Sequence, residues 1–125
     1  MKKMLFLLCI AVSTTCFSQP APQAEEAYKN ADKELNDTYQ QILVVYKSDT
    51  AFIRKLKKAQ HLWIRFRDAE LEMKFPEKNK QVAYGSAYST CAMAYLTEMA
   101  EARTEKLKTW INGTEEGDVC RGSVR

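Results

Sequence analysis

The side chains with most chemical potential lie between Arg54 and Glu70: Arg54, Lys55, Lys57, Lys58, Gln60, His61, Arg65, Arg67, Asp68 and Glu70. From 54 to 67 there are six Lys and Arg and no acid. Such a run suits nucleic acid, an anionic membrane surface or an acidic partner. The plainer reading, a solvated helix face, is preferred, and no nucleic acid is expected as a partner. His61 is the only His. It has no Cys or His at ligand spacing, so no metal site and no cofactor are expected. Glu70 and Glu72 do not share a helical face, and Ser89 and Thr90 have no base placed by sequence. No catalytic residue follows from these types and spacings, and no enzyme is expected.

Polar groups in this run are better suited to fixing structure. Arg67 and Asp68 are adjacent, so on a helix they diverge by about 100° and are not expected to pair. Arg67 follows Trp63 by four, so its stem can cover the indole. Gln60 precedes Trp63 by three on nearly the same side. These groups are expected to bond across to Asn36 or to the third helix, as a structural network.

The elements that carry them follow from composition and breakers. The chain has 125 residues, a formal charge of +3, 46% apolar and 28% charged residues, which describes one globular domain. Lys2 and Lys3 precede an apolar run, Met4 to Val12, too short to span a bilayer. Small residues before Gln19 allow cleavage after Ser18, so residues 1–18 read as a secretory signal and 19–125 as the domain. A lipid on Cys16 is the less favoured alternative, because Ser13-Thr14-Thr15 lacks the apolar and small residues of a lipobox. No membrane span is expected in the mature form. Cleavage leaves 17 bases, 16 acids, Cys91 and Cys120. An even Cys count in an exported chain suggests a disulfide, worth roughly 3–4 kcal/mol for a loop of this length; the alternative is two free thiols.

No Pro or Gly occurs from Gln23 to Phe75, and helical spacing runs through that stretch. The spacing predicts helices over about 24–47, 50–74 and 86–112, with a tail over 113–125. The first stripe is Tyr28, Ala31, Leu35, Tyr39, Ile42 and Tyr46. The second is Phe52, Leu56, Ala59, Trp63, Phe66 and Met73, with Ile53, Leu62 and Leu71 beside it. The third is Tyr88, Cys91, Ala92, Tyr95, Met99, Ala102, Lys106 and Trp110, with Leu96 and Leu107 beside it. Residues 77–83 read as a polar connection, Ser86 as a helix N-cap and Asn112-Gly113 as a left-handed stop. The fold expected is all-α: an elongated three-helix up-down-up arrangement whose tail is stapled by Cys120 to Cys91. Five acids on the first helix, Glu25, Glu26, Asp32, Glu34 and Asp37, are opposed there only by Lys29 and Lys33. They can neutralise the basic run if the first two helices are antiparallel neighbours.

Three blocks carry a family resemblance. Ala31-Asp32-Lys33-Glu34-Leu35-Asn36, followed by Tyr39, is the first. Leu56, Ala59-Gln60, Trp63 and Phe66-Arg67-Asp68-Ala69-Glu70 form the second and most specific. Gly85-Ser86, Cys91, Leu96-Thr97 and Arg103-Thr104 with Leu107 form the third. Together they resemble the LprI-like lysozyme-inhibitor family over about residues 24–110. Two departures stand out: Leu71 where many members carry Cys, and no Cys ahead of the first block. That leaves Cys120 as the partner for Cys91. The resemblance implies a small helical protein, periplasmic or secreted, that inhibits lysozyme by protein–protein contact. The alternative is an envelope adaptor that binds another protein or a cell-wall polymer. The motif residues Asp32, Leu35, Asn36, Tyr39, Ala59, Gln60, Trp63, Arg67, Asp68 and Glu70 are expected to be structural or binding residues. Lysozymes of host defence are commonly basic, so the acids from Glu25 to Asp37 are the expected contact surface.

Overall fold

The computed structural model describes residues 20–125. The expected leader over 1–18, with Cys16, lies outside the described residues. Four α-helices follow in order: α1 (Pro22–Val45), α2 (Thr50–Lys74), α3 (Lys80–Tyr84) and α4 (Tyr88–Asn112), with a 3-10 turn at Gly85–Ala87. The described residues contain no strand.

Local chemistry sets the ends. Pro22 opens α1, where its fixed φ suits the first turn and its missing N–H costs nothing. Asp49 caps α2, its Oδ1 accepting the Phe52 N–H at 2.9 Å. Pro76 follows the end of α2. The connection over 77–83 is more ordered than expected. Asn79 Oδ1 accepts the Val82 N–H at 3.0 Å, and that cap starts α3. Ser86 sits in the 3-10 turn, and Ala87 holds the N-cap position of α4.

The three long helices run up-down-up. α1 and α4 are parallel: the Ala21 N–H donates to Thr90 Oγ1 at 2.9 Å, and Lys108 pairs with Glu34 at 2.8 Å further along. Their shared seam is made of small residues. Ala31 and Thr38 of α1, and Ala92, Ala100 and Thr104 of α4, are all buried. Short side chains let the backbones approach closely. The Thr104 hydroxyl is satisfied within its helix by the Ala100 carbonyl at 2.8 Å. Leu35, Ile42, Tyr46, Leu56 and Leu107 complete the core, with Phe52, Ile53, Trp63 and Trp110 packed around it.

α2 runs antiparallel to α4, with Glu70 bonded to Tyr95 and Gln60 to Arg103. Its buried side differs from the expected stripe. Leu56 and Gln60 are buried, whereas Ala59, Leu62, Phe66 and Met73 are exposed. α2 is rotated so that Gln60, Trp63 and Glu70 meet α4, and the apolar flank turns out. α4 is rotated too: Cys91, Ala102 and Lys106 are exposed, because its small-residue face must meet α1.

The Cys91–Cys120 staple does not form. Both thiols are free and exposed. Cys91 lies in the first turn of α4, and the tail folds against the opposite end. Trp110 lies nineteen positions beyond Cys91, a rise of about 28 Å along the helix. Noncovalent contacts hold the tail instead. Val124 is buried, Trp110 Nε1 donates to Ser123 Oγ at 3.0 Å, and the Arg125 N–H donates to the Tyr46 hydroxyl at 3.2 Å. The Arg125 guanidinium lies 4.5 Å from the Tyr46 ring centre. Gly113 ends α4 at φ 79° and ψ −173°, a positive-φ stop but outside the left-handed helical well expected. A Cβ there would come within 2.7 Å of the Arg125 carbonyl oxygen, so the returning tail requires Gly at this position.

Three outcomes are expected. Alkylation of the unreduced native protein, mapped by peptide mass spectrometry, labels both Cys91 and Cys120, and serine at either position leaves the melting temperature unchanged. Ala100→Leu overfills the α1–α4 seam and lowers unfolding free energy by about 1–3 kcal/mol, read by denaturant titration.

Candidate functional site

The second sequence block lies on the α2 side of the α2–α4 interface. Gln60, Trp63, Arg67 and Glu70 recur at steps of three and four along one stripe. Gln60 is buried, and its Oε1 accepts from Arg103 Nε at 3.0 Å. Of the two expected partners, the third long helix supplies the bond and Asn36 does not; Asn36 donates to Asp32 on its own helix at 3.1 Å. Trp63 has two guanidinium neighbours, Arg67 at 5.7 Å and Arg103 at 5.8 Å from its ring centre. Arg67 does pair with Asp68, donating from Nε at 2.9 Å and Nη2 at 2.7 Å to Oδ1. The divergence of adjacent positions applies to Cβ directions, and the long Arg side chain reaches round it. Glu70 accepts the Tyr95 O–H at 2.9 Å, and Lys74 lies 4.2 Å from the Tyr95 ring centre.

Arg103 and Tyr95, both on α4, are the partners that sequence reasoning gave no role. Arg103 belongs to the third sequence block and Tyr95 to the apolar stripe, and only the helix pairing joins them to the second block. Arg103 is half-buried, and burial pushes its guanidinium below its ordinary pKa. No ion pair among the described residues neutralises it. Tyr95 is shifted the other way: its bond to Glu70 raises its pKa, with smaller contributions from burial and the charges of Glu70 and Glu98.

Two cavities open along this interface and share Arg103. One, about 490 Å³, is lined by Phe52, Leu56, Ala59, Arg103, Leu107 and Trp110, with Asp49 and Lys55 toward the start of α2. The other, about 300 Å³, is lined by Trp63, Phe66, Met99, Ala102, Arg103 and Lys106. Asp68, Glu70 and His61 line neither of them. Among the described residues no group of three or more His, Cys, Asp or Glu is placed to hold a metal ion.

The first block builds α1. Leu35 is buried, Tyr39 packs against the core, and Asn36 is exposed beside the half-buried Asp32. The acids of α1 do not reach the basic run of α2. Glu25 pairs with Lys29 at 2.6 Å, Asp37 with Lys33, and Glu34 with Lys108 of α4 at 2.8 Å. Lys108 is pushed up in pKa by Glu105 first and Glu34 second, although desolvation opposes them.

The profile of the lysozyme inhibitor LprI matches residues 13–107, three quarters of the chain. The chain belongs to the LprI family. It is also similar to an uncharacterized protein of Rhizobium meliloti (strain 1021), 30% identical over 103 residues, covering 74% of this chain and 71% of that one. No solved structure matches. The LprI match includes Gln60, Trp63, Glu70, Tyr95 and Arg103, so the α2–α4 contacts fall within it. Trp110 and the tail that caps the core lie beyond it.

The Tyr95–Glu70 bond gives a pH signature. A raised phenol pKa means the folded state holds the proton more tightly than the unfolded one. Its contribution to stability is therefore full below the unfolded value, about 10, and is lost as pH rises through the folded value. Tyr95→Phe is expected to remove a late-ionising tyrosine from the alkaline absorbance titration. Its destabilisation relative to wild type shrinks at high pH.

Proposed function

We propose that this protein is an exported helical binding protein that inhibits lysozyme by protein–protein contact, with the acidic face of α1 as its contact surface. The observation that carries the reading is the LprI match across residues 13–107. Export is supported by the pattern Lys2-Lys3, Met4 to Val12 and the small residues before Gln19. No helix among the described residues is long and apolar enough to cross a membrane. Placement in the periplasm or outside the cell accords with a lysozyme target.

The choice of α1 rests on charge and on what covers it. It carries Glu25, Glu26, Asp32, Glu34 and Asp37 against Lys29 and Lys33. The basic run of α2 forms no ion pair with these acids among the described residues. The two lysines that pair with them on α1 are exposed, at 70% and 75% of their side chains. Such surface pairs hold weakly, so a basic partner can displace them. Contact of this kind blocks or distorts a partner without chemistry of its own, so no step of catalysis is assigned to this chain.

Lysis of bacterial cell walls by a c-type lysozyme is expected to slow when the purified protein is added, more at low salt than at high salt. Undiminished lysis at a large molar excess rejects the inhibitor reading and leaves the adaptor reading in its place. Lysine at Glu25, Glu26, Asp32 and Glu34 together is expected to weaken inhibition by about tenfold or more. Unchanged potency in that variant, with its helical circular dichroism intact, moves the contact off α1.

A further inference from the structure

The groove between α2 and α4 has the composition of a ligand site. Its larger cavity, about 490 Å³, falls within the range of about 300–1,000 Å³ common for small-molecule sites. Phe52, Leu56, Leu107 and Trp110 give it apolar walls. At the junction with the smaller cavity lies Arg103, which lines both. A guanidinium carries five N–H donors. Here Nε serves Gln60, a neutral amide, and Trp63 offers only its ring. No carboxylate pairs with Arg103 among the described residues.

Half-buried cations ordinarily have a counter-charge, since removal from water is costly without one. The walls do not supply it. Among the described residues Asp49 is the only acid lining either cavity, and its Oδ1 accepts the Phe52 N–H as the cap of α2. The remaining charges on the lining are Lys55 and Lys106, both exposed and both positive. The groove thus offers an apolar trough with a half-buried cation shared by its two cavities and an exposed lysine on each. The complementary molecule has one negative head and an apolar body.

We propose that the α2–α4 groove binds a single-chain anionic amphiphile, its carboxylate on Arg103 and its hydrocarbon chain along Phe52, Leu56, Leu107 and Trp110. The inference does not rest on lysozyme inhibition, which is placed on α1. Either can fail while the other stands.

Both tryptophans of the chain line the groove, Trp110 in the larger cavity and Trp63 in the smaller. Titration of the purified protein with laurate, below its micellar concentration, is expected to change tryptophan fluorescence saturably at one equivalent. Lauryl alcohol and laurylamine are expected to bind at least about tenfold more weakly, since they lack the charge that Arg103 pairs with. Arg103→Gln is expected to lower laurate affinity by a similar factor while leaving lauryl alcohol unchanged. Ala59→Phe fills the trough from an exposed position and is expected to abolish binding of both. It serves if Arg103→Gln loses its helical circular dichroism.

Four results overturn the proposal. One is an unsaturable laurate response. Another is equal affinity for laurate and laurylamine. A third is undiminished laurate binding in a folded Arg103→Gln or Ala59→Phe variant. The last is binding to anionic phosphatidylglycerol vesicles, but not to monomeric laurate, which would assign the exposed lysines to a membrane surface.

Discussion

The close approach of α1 to α4 is the constraint on which the other helices depend. It exists because Ala31, Thr38, Ala92, Ala100 and Thr104 meet where larger side chains would hold the axes apart. Once that seam is set, the rotation of α4 about its own axis is fixed. Leu107 then faces the core, and Tyr95 and Arg103 face α2. α2 must accept what remains. It packs on α4 through long and polar groups, Gln60, Trp63, Glu70 and Lys74, and so stands further off. The groove is a consequence of that mismatch: one helix pair joined by small residues, the next by large ones.

The polar contacts of α2 set its register and turn its apolar flank outward. Leu62, Phe66 and Met73 are 49%, 54% and 68% exposed, although an apolar stripe would ordinarily bury them. The bond from Arg103 to buried Gln60 offsets part of the cost of that arrangement. No carboxylate pairs with the guanidinium among the described residues, and the proposed ligand rests on that feature. Glu25 and Asp37 of α1, by contrast, are held in exposed pairs with Lys29 and Lys33 of their own helix.

Much of this was legible along the chain. The Asp49 cap and Pro76 bounded α2 at Thr50–Lys74, as the spacing predicted, and α1 and the up-down-up course were equally readable. The second sequence block pointed to a polar network on α2, and its Gln60 does bond to the third long helix. Two residues of the site were not legible. Tyr95 looks like an ordinary member of the apolar stripe and Arg103 like one residue of the third block, and nothing local says which α2 side chains they meet. The expected disulfide fails for a related reason: Cys count gives parity, not distance, and Cys91 and the tail sit at opposite ends of α4.

Local chemistry, then, determined the elements: caps, breakers and a 3.6-residue period act within a few positions and need no partner. It also determined the family, because the three motif blocks are carried by residue type and spacing. Only the tertiary structure decided the faces. Which flank of an amphipathic helix is buried depends on the shape of its neighbour, and the small residues of α1 and α4 claimed that contact first. The free thiols, the lack of an acid on Arg103 among the described residues and the exposed flank of α2 all follow from that choice, since each is a relation between helices and not a property of one.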